Sequence, residues 1–359
     1  MKLPEVGPLD PEAMADARSR MDSLTKPIGS LGRLEDLAIQ LAGITGDPRW
    51  TPGRRTIVVL AADHGIAARG VSAYPQAVTA QMVANFLGGG AAINVLARRT
   101  GADVLVVDIG VASAIAVPSE LPLSVRFISQ PVRRGTADMT TGPAMSRMEA
   151  EAAIEIGLDI AAAAIAKGTT ILGLGEMGIA NTSSASAIVA VMTGRSVDEV
   201  TGRGTGIDDP ARALKVAALE GAISMNRPDP ADPIGVLGAV GGFEIAGLAG
   251  VILGAATRRI PVVLDGFITG AAALVAAALV PGVSERLIAS HRSAEPGHLA
   301  ALTHLGRRPL LDLDLRLGEG TGAALVMSLV DAACAIREEM ATFSSAGVAT
   351  RSATTQPRP

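Results

Sequence analysis

Thr56-Ile57-Val58-Val59-Leu60-Ala61-Ala62-Asp63-His64-Gly65 begins as a run of β-branched and aliphatic residues and ends in an acid, a histidine and a glycine. An uninterrupted apolar run of this length is what a strand covered on both faces needs, and the polar, permissive residues after it suit the turn where such a strand stops. The same grammar recurs along the chain. Asp103 to Val107 leads into Asp108-Ile109-Gly110, and Ser124 to Ile128 is another short run. Thr169 to Leu172 leads into Gly173-Leu174-Gly175-Glu176-Met177-Gly178, and Pro261 to Leu264 into Asp265-Gly266-Phe267. Arg286 to Ile288 leads into Ser290-His291-Arg292-Ser293, and Leu310 to Leu313 into Asp314 and then Glu319. Stretches of helical length lie between most of them: Ala77 to Arg99, Ser146 to Ala166, Gly242 to Ala256 and Thr269 to Val280. Alternation of this kind predicts an α/β fold, a mainly parallel sheet with helices on both faces. Asn181 to Arg227 carries helical pattern without a strand, so the topology is not a plain repeat.

The chain ends read differently. Pro11 to Met21 and Arg33 to Ile44 are helical patterns joined by Leu24-Thr25-Lys26-Pro27-Ile28-Gly29-Ser30-Leu31-Gly32, where the proline and glycines stop one helix and Ser30 helps start the next. With a helix from Thr321 to Met340 they predict a small helical domain from residues 1–50 and 321–345, beside an α/β domain of 51–320. The Thr/Ser/Pro-rich tail 346–359 is expected to be disordered.

Composition narrows the function. Of 359 residues 48% are apolar but only 2% aromatic, and there are 41 glycines, so the layers must approach closely. A net charge of −4 without a Lys/Arg run argues against nucleic acid as a partner. The single cysteine, Cys334, sits among apolar residues of a helical run and reads as a buried thiol; no intrachain disulfide or cysteine metal site is possible. The N-terminus lacks the basic and apolar regions of a signal peptide, and Ile154 to Ala166 and Ala271 to Val280 are too short to span a membrane, so a soluble cytoplasmic protein is expected.

The polar strand ends should line one crevice, where a parallel sheet places its ligand. Glu319 stands out, a carboxylate inside Leu317-Gly318-Glu319-Gly320-Thr321-Gly322, between a period-2 pattern and a long apolar helix. An acid at such a turn reads as a base directed at a ligand. Gly173-x-Gly175-x-x-Gly178 formally fits a dinucleotide fingerprint. However, Glu176 would face the pyrophosphate, and no strand ends in an acid about 20 residues later. The same turn, with Asn181, Thr182, Ser183, Ser184 and Ser186, could instead cradle a phosphate or sugar. Thr201-Gly202-Arg203-Gly204-Thr205-Gly206 is either a nest for phosphate or a flexible loop. Lys215 reads as a solvated helix residue. Asp63-His64 reads as ordering the loop that follows. In that loop Tyr74, Met82 and Phe86 with Ser72 and Gln81 could wall a flat aromatic ligand, though the four-residue spacing of Met82 and Phe86 equally suits a helix core stripe. The histidines have no metal-ligand spacing, so no metal is expected.

These motifs, together with Ala62-Asp63-His64-Gly65, Ser72-Ala73-Tyr74-Pro75-Gln76-x-Val78-Thr79 and Ser290-His291-x-Ser293-x-Glu295-x-Gly297-His298, resemble the nicotinate-nucleotide:dimethylbenzimidazole phosphoribosyltransferase family from about Leu24 to Ile336. The resemblance implies a Rossmann-like sheet, a homodimer, and no cofactor. It implies phosphoribosyl transfer from nicotinate mononucleotide to 5,6-dimethylbenzimidazole or a related base, giving α-ribazole 5′-phosphate and nicotinate for the lower ligand of cobalamin. It implies Glu319 as base, supported by Glu176 and Lys215. Nucleotide contacts are implied for Gly175, Gly178, Arg203, Gly204, Asp265, Ser293 and Gly318, and benzimidazole contacts for Ser72, Tyr74 and Gln81.

Overall fold

The computed structural model describes residues 3–349, which fall into two compact units. One comprises residues 3–8 and 53–328, the other 9–52 and 329–349. Residues 350–359, most of the expected disordered tail, lie outside the described residues, and a short helix, Phe343–Ala346, reaches the tail's first residue.

The larger unit is built on six parallel strands: β1 (Arg54–Ala62), β2 (Ala102–Gly110), β3 (Val125–Ser129), β4 (Thr169–Met177), β5 (Val262–Leu264) and β6 (Leu287–Ala289). Their order is β3-β2-β1-β4-β5-β6. The chain reverses its winding between β1 and β4, and at such a switch point the helices diverge and leave a crevice beyond the carboxyl ends of the strands. From Ile57 onward every residue of β1 is buried, as its uninterrupted apolar run requires.

Glycine supplies the close packing that the scarcity of aromatics calls for. Helices Arg147–Ala166 and Phe243–Ala256 meet through Gly157, Gly247 and Gly250. A Cβ on Gly157 would overlap the Gly247 carbonyl, and one on Gly250 the Ile154 carbonyl. The expected helix Ala77 to Arg99 is two, Val78–Gly88 and Ala92–Thr100, parted where Gly89 takes φ +78°. By length and composition alone Val78–Thr100 could cross a membrane, but 44% of its most apolar window is buried within the protein.

Leu310 to Leu313 is not a strand. It makes one isolated bridge, Leu311 to His291. The Leu-x-Leu alternation has no buried face to serve, since Leu313 and Leu317 are 55% and 58% exposed, and Asp314 at φ +53° breaks the pleat. Gly173, Gly175 and Glu176 belong to β4 rather than to a turn after it. A Cβ on Gly173 would overlap Ile57, and one on Gly175 would overlap the Glu319 carbonyl; these glycines are there to let other parts of the chain lie on the strand.

The smaller unit packs Pro11–Asp22 against Arg33–Thr45. Within it Arg337 is fully buried and donates to the Trp50 carbonyl at 2.6 Å, and Lys26 pairs with Glu35 at 2.7 Å.

Candidate active site

A cleft of about 510 Å³ opens beyond the carboxyl ends of β4, β5 and β6. Glu176 to Ile179 form its floor, Gly266 to Ile268, His291, Ser293 and Glu295 one side, and Tyr74, Val78 and Met82 another. Asn181, Thr182, Gly204, Thr205 and the segment Arg316 to Glu319 complete it.

Glu319 lies in this cleft on a turn of three successive left-handed residues, Gly318 at φ +84°, Glu319 at +64° and Gly320 at +91°. Glycine adopts this region freely, whereas a side chain there costs roughly 1–2 kcal/mol. The turn is held by Asp265, whose Oδ2 accepts the Gly320 N–H at 2.9 Å and whose Oδ1 accepts the Gly322 N–H at 2.7 Å. Gly175 permits the approach from beneath. Glu319 is 5% exposed, and its Oε2 accepts the Ile93 N–H at 3.4 Å. Burial raises its pKa, and the Ile93 N–H only partly opposes the shift.

Glu176, on the floor, accepts from the Asn181 side-chain amide. Burial first, and then the charges of Asp265 and Glu244, push its pKa up to about 8. Burial likewise raises Asp265 to about 7 against the backbone N–H groups it accepts. These carboxyls share one desolvated region, and protons held there at neutral pH keep it from accumulating full negative charge.

Lys215 is not solvated. It is fully buried and donates to Thr182 Oγ1 at 2.7 Å, behind the start of helix Asn181–Thr193; burial lowers its pKa to about 8 while Glu295 opposes that shift. Ser293 lines the cleft, its N–H donating to His298 Nδ1 at 3.0 Å; burial keeps His298 and His291 neutral at pH 7, at about 3 and about 4.

Of the residues singled out in the sequence, the cleft lining gathers Glu319, Glu176, Tyr74, Gly178, Gly204, Ser293 and Gly318. Lys215, Asp265 and Gly175 stand behind it, acting on Thr182 and on the Glu319 turn. Ser72, Gln81 and Arg203 are not in the lining. Ser72 Oγ lies 3.1 Å from Thr205 Oγ1, and Gln81 is exposed. Arg203 turns to Asp209 and to the Ile207 carbonyl at 3.1 Å, bracing its own loop instead of facing a ligand. Met82 and Phe86 divide the readings offered for them, since Met82 faces the cleft and Phe86 is fully buried core. His64 is buried between Ser184 Oγ at 3.0 Å and Glu244 Oε1 at 2.7 Å, below the site. Sequence reasoning gave no role to Arg316, His291 or Glu295; Glu295 appeared only inside a motif. Among the described residues no group of three or more His, Cys, Asp or Glu is placed to hold a metal ion.

A family model described as phosphoribosyltransferase matches residues 6–348. The nicotinate-nucleotide--dimethylbenzimidazole phosphoribosyltransferase of Chloroflexus aggregans is 58% identical over 343 residues, 96% of each chain. That of a Roseiflexus species is 57% identical over 346 residues, again 96% of each. A crystal structure of the Thermus thermophilus enzyme of this name superposes with a TM-score of 0.89 at 46% identity, covering 96% of this chain and 100% of that one.

Proposed function

The chain belongs to the nicotinate-nucleotide–dimethylbenzimidazole phosphoribosyltransferase family, the enzymes of cobalamin lower-ligand synthesis, and from that premise we propose a division of labour within its cleft. The reaction moves phosphoribose from nicotinate mononucleotide to 5,6-dimethylbenzimidazole. The nicotinate nitrogen is already a pyridinium while attached to ribose, so it departs as a neutral ring and needs no general acid. The benzimidazole attacks the anomeric carbon through one ring nitrogen and must lose the proton of the other. Attack on the face opposite the leaving ring inverts that carbon, turning a β-nucleotide into an α-product.

Glu319 takes that proton. The observation that carries this role is its carboxyl, held in the cleft on a left-handed turn that Asp265 and Gly175 help to brace; strain of this kind collects where function requires it. Its raised pKa makes it a better base than an exposed glutamate. The carboxyl oxygens of Glu176 on the cleft floor, with the partly ionised Asp265 behind it, favour a ribose that becomes cationic as the pyridinium leaves. The start of helix Asn181–Thr193, which no side chain caps, receives the phosphate, with Lys215 behind Thr182 and Arg316 at the rim. Tyr74, Val78, Met82 and Leu317 supply apolar faces for the benzimidazole.

Chromatography of the products after incubation with nicotinate mononucleotide and a panel of bases tests the assignment. α-Ribazole phosphate and nicotinate should appear with the wild type and be nearly absent with Glu319→Gln. The family resemblance further implies a homodimer working in the cytoplasm, and light scattering at about twice the chain mass would support the first part.

A further inference from the structure

Thr79 closes the motif Ser72 to Thr79 and has so far been given no role. It is fully buried on helix Val78–Gly88, among the apolar residues Ala80, Val83, Phe86 and Leu87 that seat the helix on the protein. Valine would fill the same space, so a hydroxyl kept there has to be accounted for by its hydrogen bonds. Thr79 Oγ1 accepts the N–H of Ile179 at 3.1 Å. The bond crosses from one side of the cleft to its floor, because Val78 and Met82 of the same helix line the cleft and Ile179 lines it opposite them. Ile179 lies just beyond the end of β4, and the next residue, Ala180, takes φ +74°, a left-handed conformation that costs a side chain roughly 1–2 kcal/mol. Asn181, whose amide donates to Glu176, follows directly. The same hydroxyl acts on the end of β1, for burial raises the pKa of Asp63 while the Ala112 N–H and Thr79 oppose that shift.

We propose that Thr79 is a positioning residue for base specificity: its hydroxyl fixes the wall formed by Val78 and Met82 at a set distance from the floor, and so sets the width of the slot that receives the flat base. The inference rests on the assignment of Val78 and Met82 to the benzimidazole. Thr79 touches neither substrate; it acts through the helix on one side and through Ile179 on the other. Its influence falls on the base more than on the nucleotide, since the phosphate end is held by groups beyond Asn181 that keep their own partners, such as Thr182 with Lys215.

Thr79→Val keeps the shape and removes the acceptor. The KM of each substrate is measured, together with the ratio of kcat/KM for 5,6-dimethylbenzimidazole over unsubstituted benzimidazole. Thr79→Val should raise KM for the base by about 10-fold, the scale of one buried N–H left unpaired, with KM for nicotinate mononucleotide little changed. The ratio should fall several-fold, since methyl groups are discriminated only against a wall that does not yield. Thr79→Ser restores the acceptor and should restore the ratio. These quantities do not depend on the fraction of active protein, and Thr79→Ala against Thr79→Ser gives the same comparison if valine prevents folding. Equal increases in both KM values, or a ratio unchanged when the hydroxyl is lost, overturn the proposal, as does a serine variant that relaxes as far as valine or alanine. Met82→Ala separates this failure from that of the underlying assignment: if it too leaves the ratio unchanged, the base does not lie against this wall.

Discussion

At the scale of the residue, Glu319 and Glu176 are two buried carboxyls in one cleft, and their protonation distinguishes their roles. A general base contributes about 10²–10⁴-fold, so Glu319→Gln should lower kcat by that factor with little change in nucleotide binding, while Glu176→Gln costs less. The acidic limb of the pH–rate profile should lie above the ordinary carboxylate range and vanish in Glu319→Gln. A limb near pH 8 that disappears only in Glu176→Gln would transfer the base role to Glu176. The geometry also bears on the expectation about Arg203. Arg203 is engaged with Asp209 and lies off the cleft, whereas Arg316 is in its lining. Arg316→Ala should therefore raise KM for nicotinate mononucleotide by about 10-fold, the scale of one charge-assisted contact, and Arg203→Ala by much less. Steady-state kinetics with both substrates varied decide this; equal effects on both KM values would remove Arg316 from the phosphate end.

At the scale of the element, two glycines in tight contacts should fail in different ways. Gly157 separates helices Arg147–Ala166 and Phe243–Ala256, in a contact with Gly247 and Val251, which are not in the cleft lining. Gly157→Ala should cost roughly 1–3 kcal/mol of stability as the helices part, with kcat per folded molecule unchanged. Gly175 lies on β4 directly beneath the Glu319 carbonyl, so Gly175→Ala should push the turn outward and lower kcat even where the protein stays folded. Differential scanning fluorimetry paired with kcat separates the two; a Gly175→Ala enzyme of normal rate would show that the turn tolerates displacement. Local pattern marked Gly175 only as part of a glycine-rich motif and gave Gly157 no role. Their demand for a bare backbone comes from a carbonyl on another segment of the chain.

At the scale of the whole molecule, the buried ionisable groups should shape stability against pH with opposite slopes. Glu176 moves from 4.5 to about 8 and Asp265 from 3.8 to about 7. Between those limits the folded protein keeps protons that the unfolded chain has released, so stability falls as pH rises through the window. Lys215 moves down from 10.5 to about 8. From about 8 upward the folded state has shed a proton that the unfolded chain still binds, so its contribution recovers toward 10.5. Together these groups should give a minimum near pH 8, and Glu176→Gln should flatten the falling limb in Tm measured from pH 5 to 10. An unchanged limb would place the destabilising charge elsewhere.

By itself the sequence determined the parallel α/β sheet, because each of the strands β1 to β6 carries an apolar run that period and β-branching make legible. It pointed to the end of the sheet where the cleft opens, because the polar residues collect at the strands' carboxyl ends. Its motifs carried the family and pointed to the turn that places Glu319 in the cleft. Tertiary structure alone decided that Leu310 to Leu313 is irregular, because alternation gives a strand only where one face is buried and a partner is in register. It also decided which polar side chains converge. Sequence pattern favoured Arg203 over Arg316, and only the fold shows Arg203 engaged with Asp209 and the Ile207 carbonyl while Arg316 lines the cleft. Asp265 and Glu295 show the same limit, since a carboxyl's role is set by which donors reach its two oxygens, and here those donors, Gly320, Gly322 and Gly204, come from 55, 57 and 91 residues away.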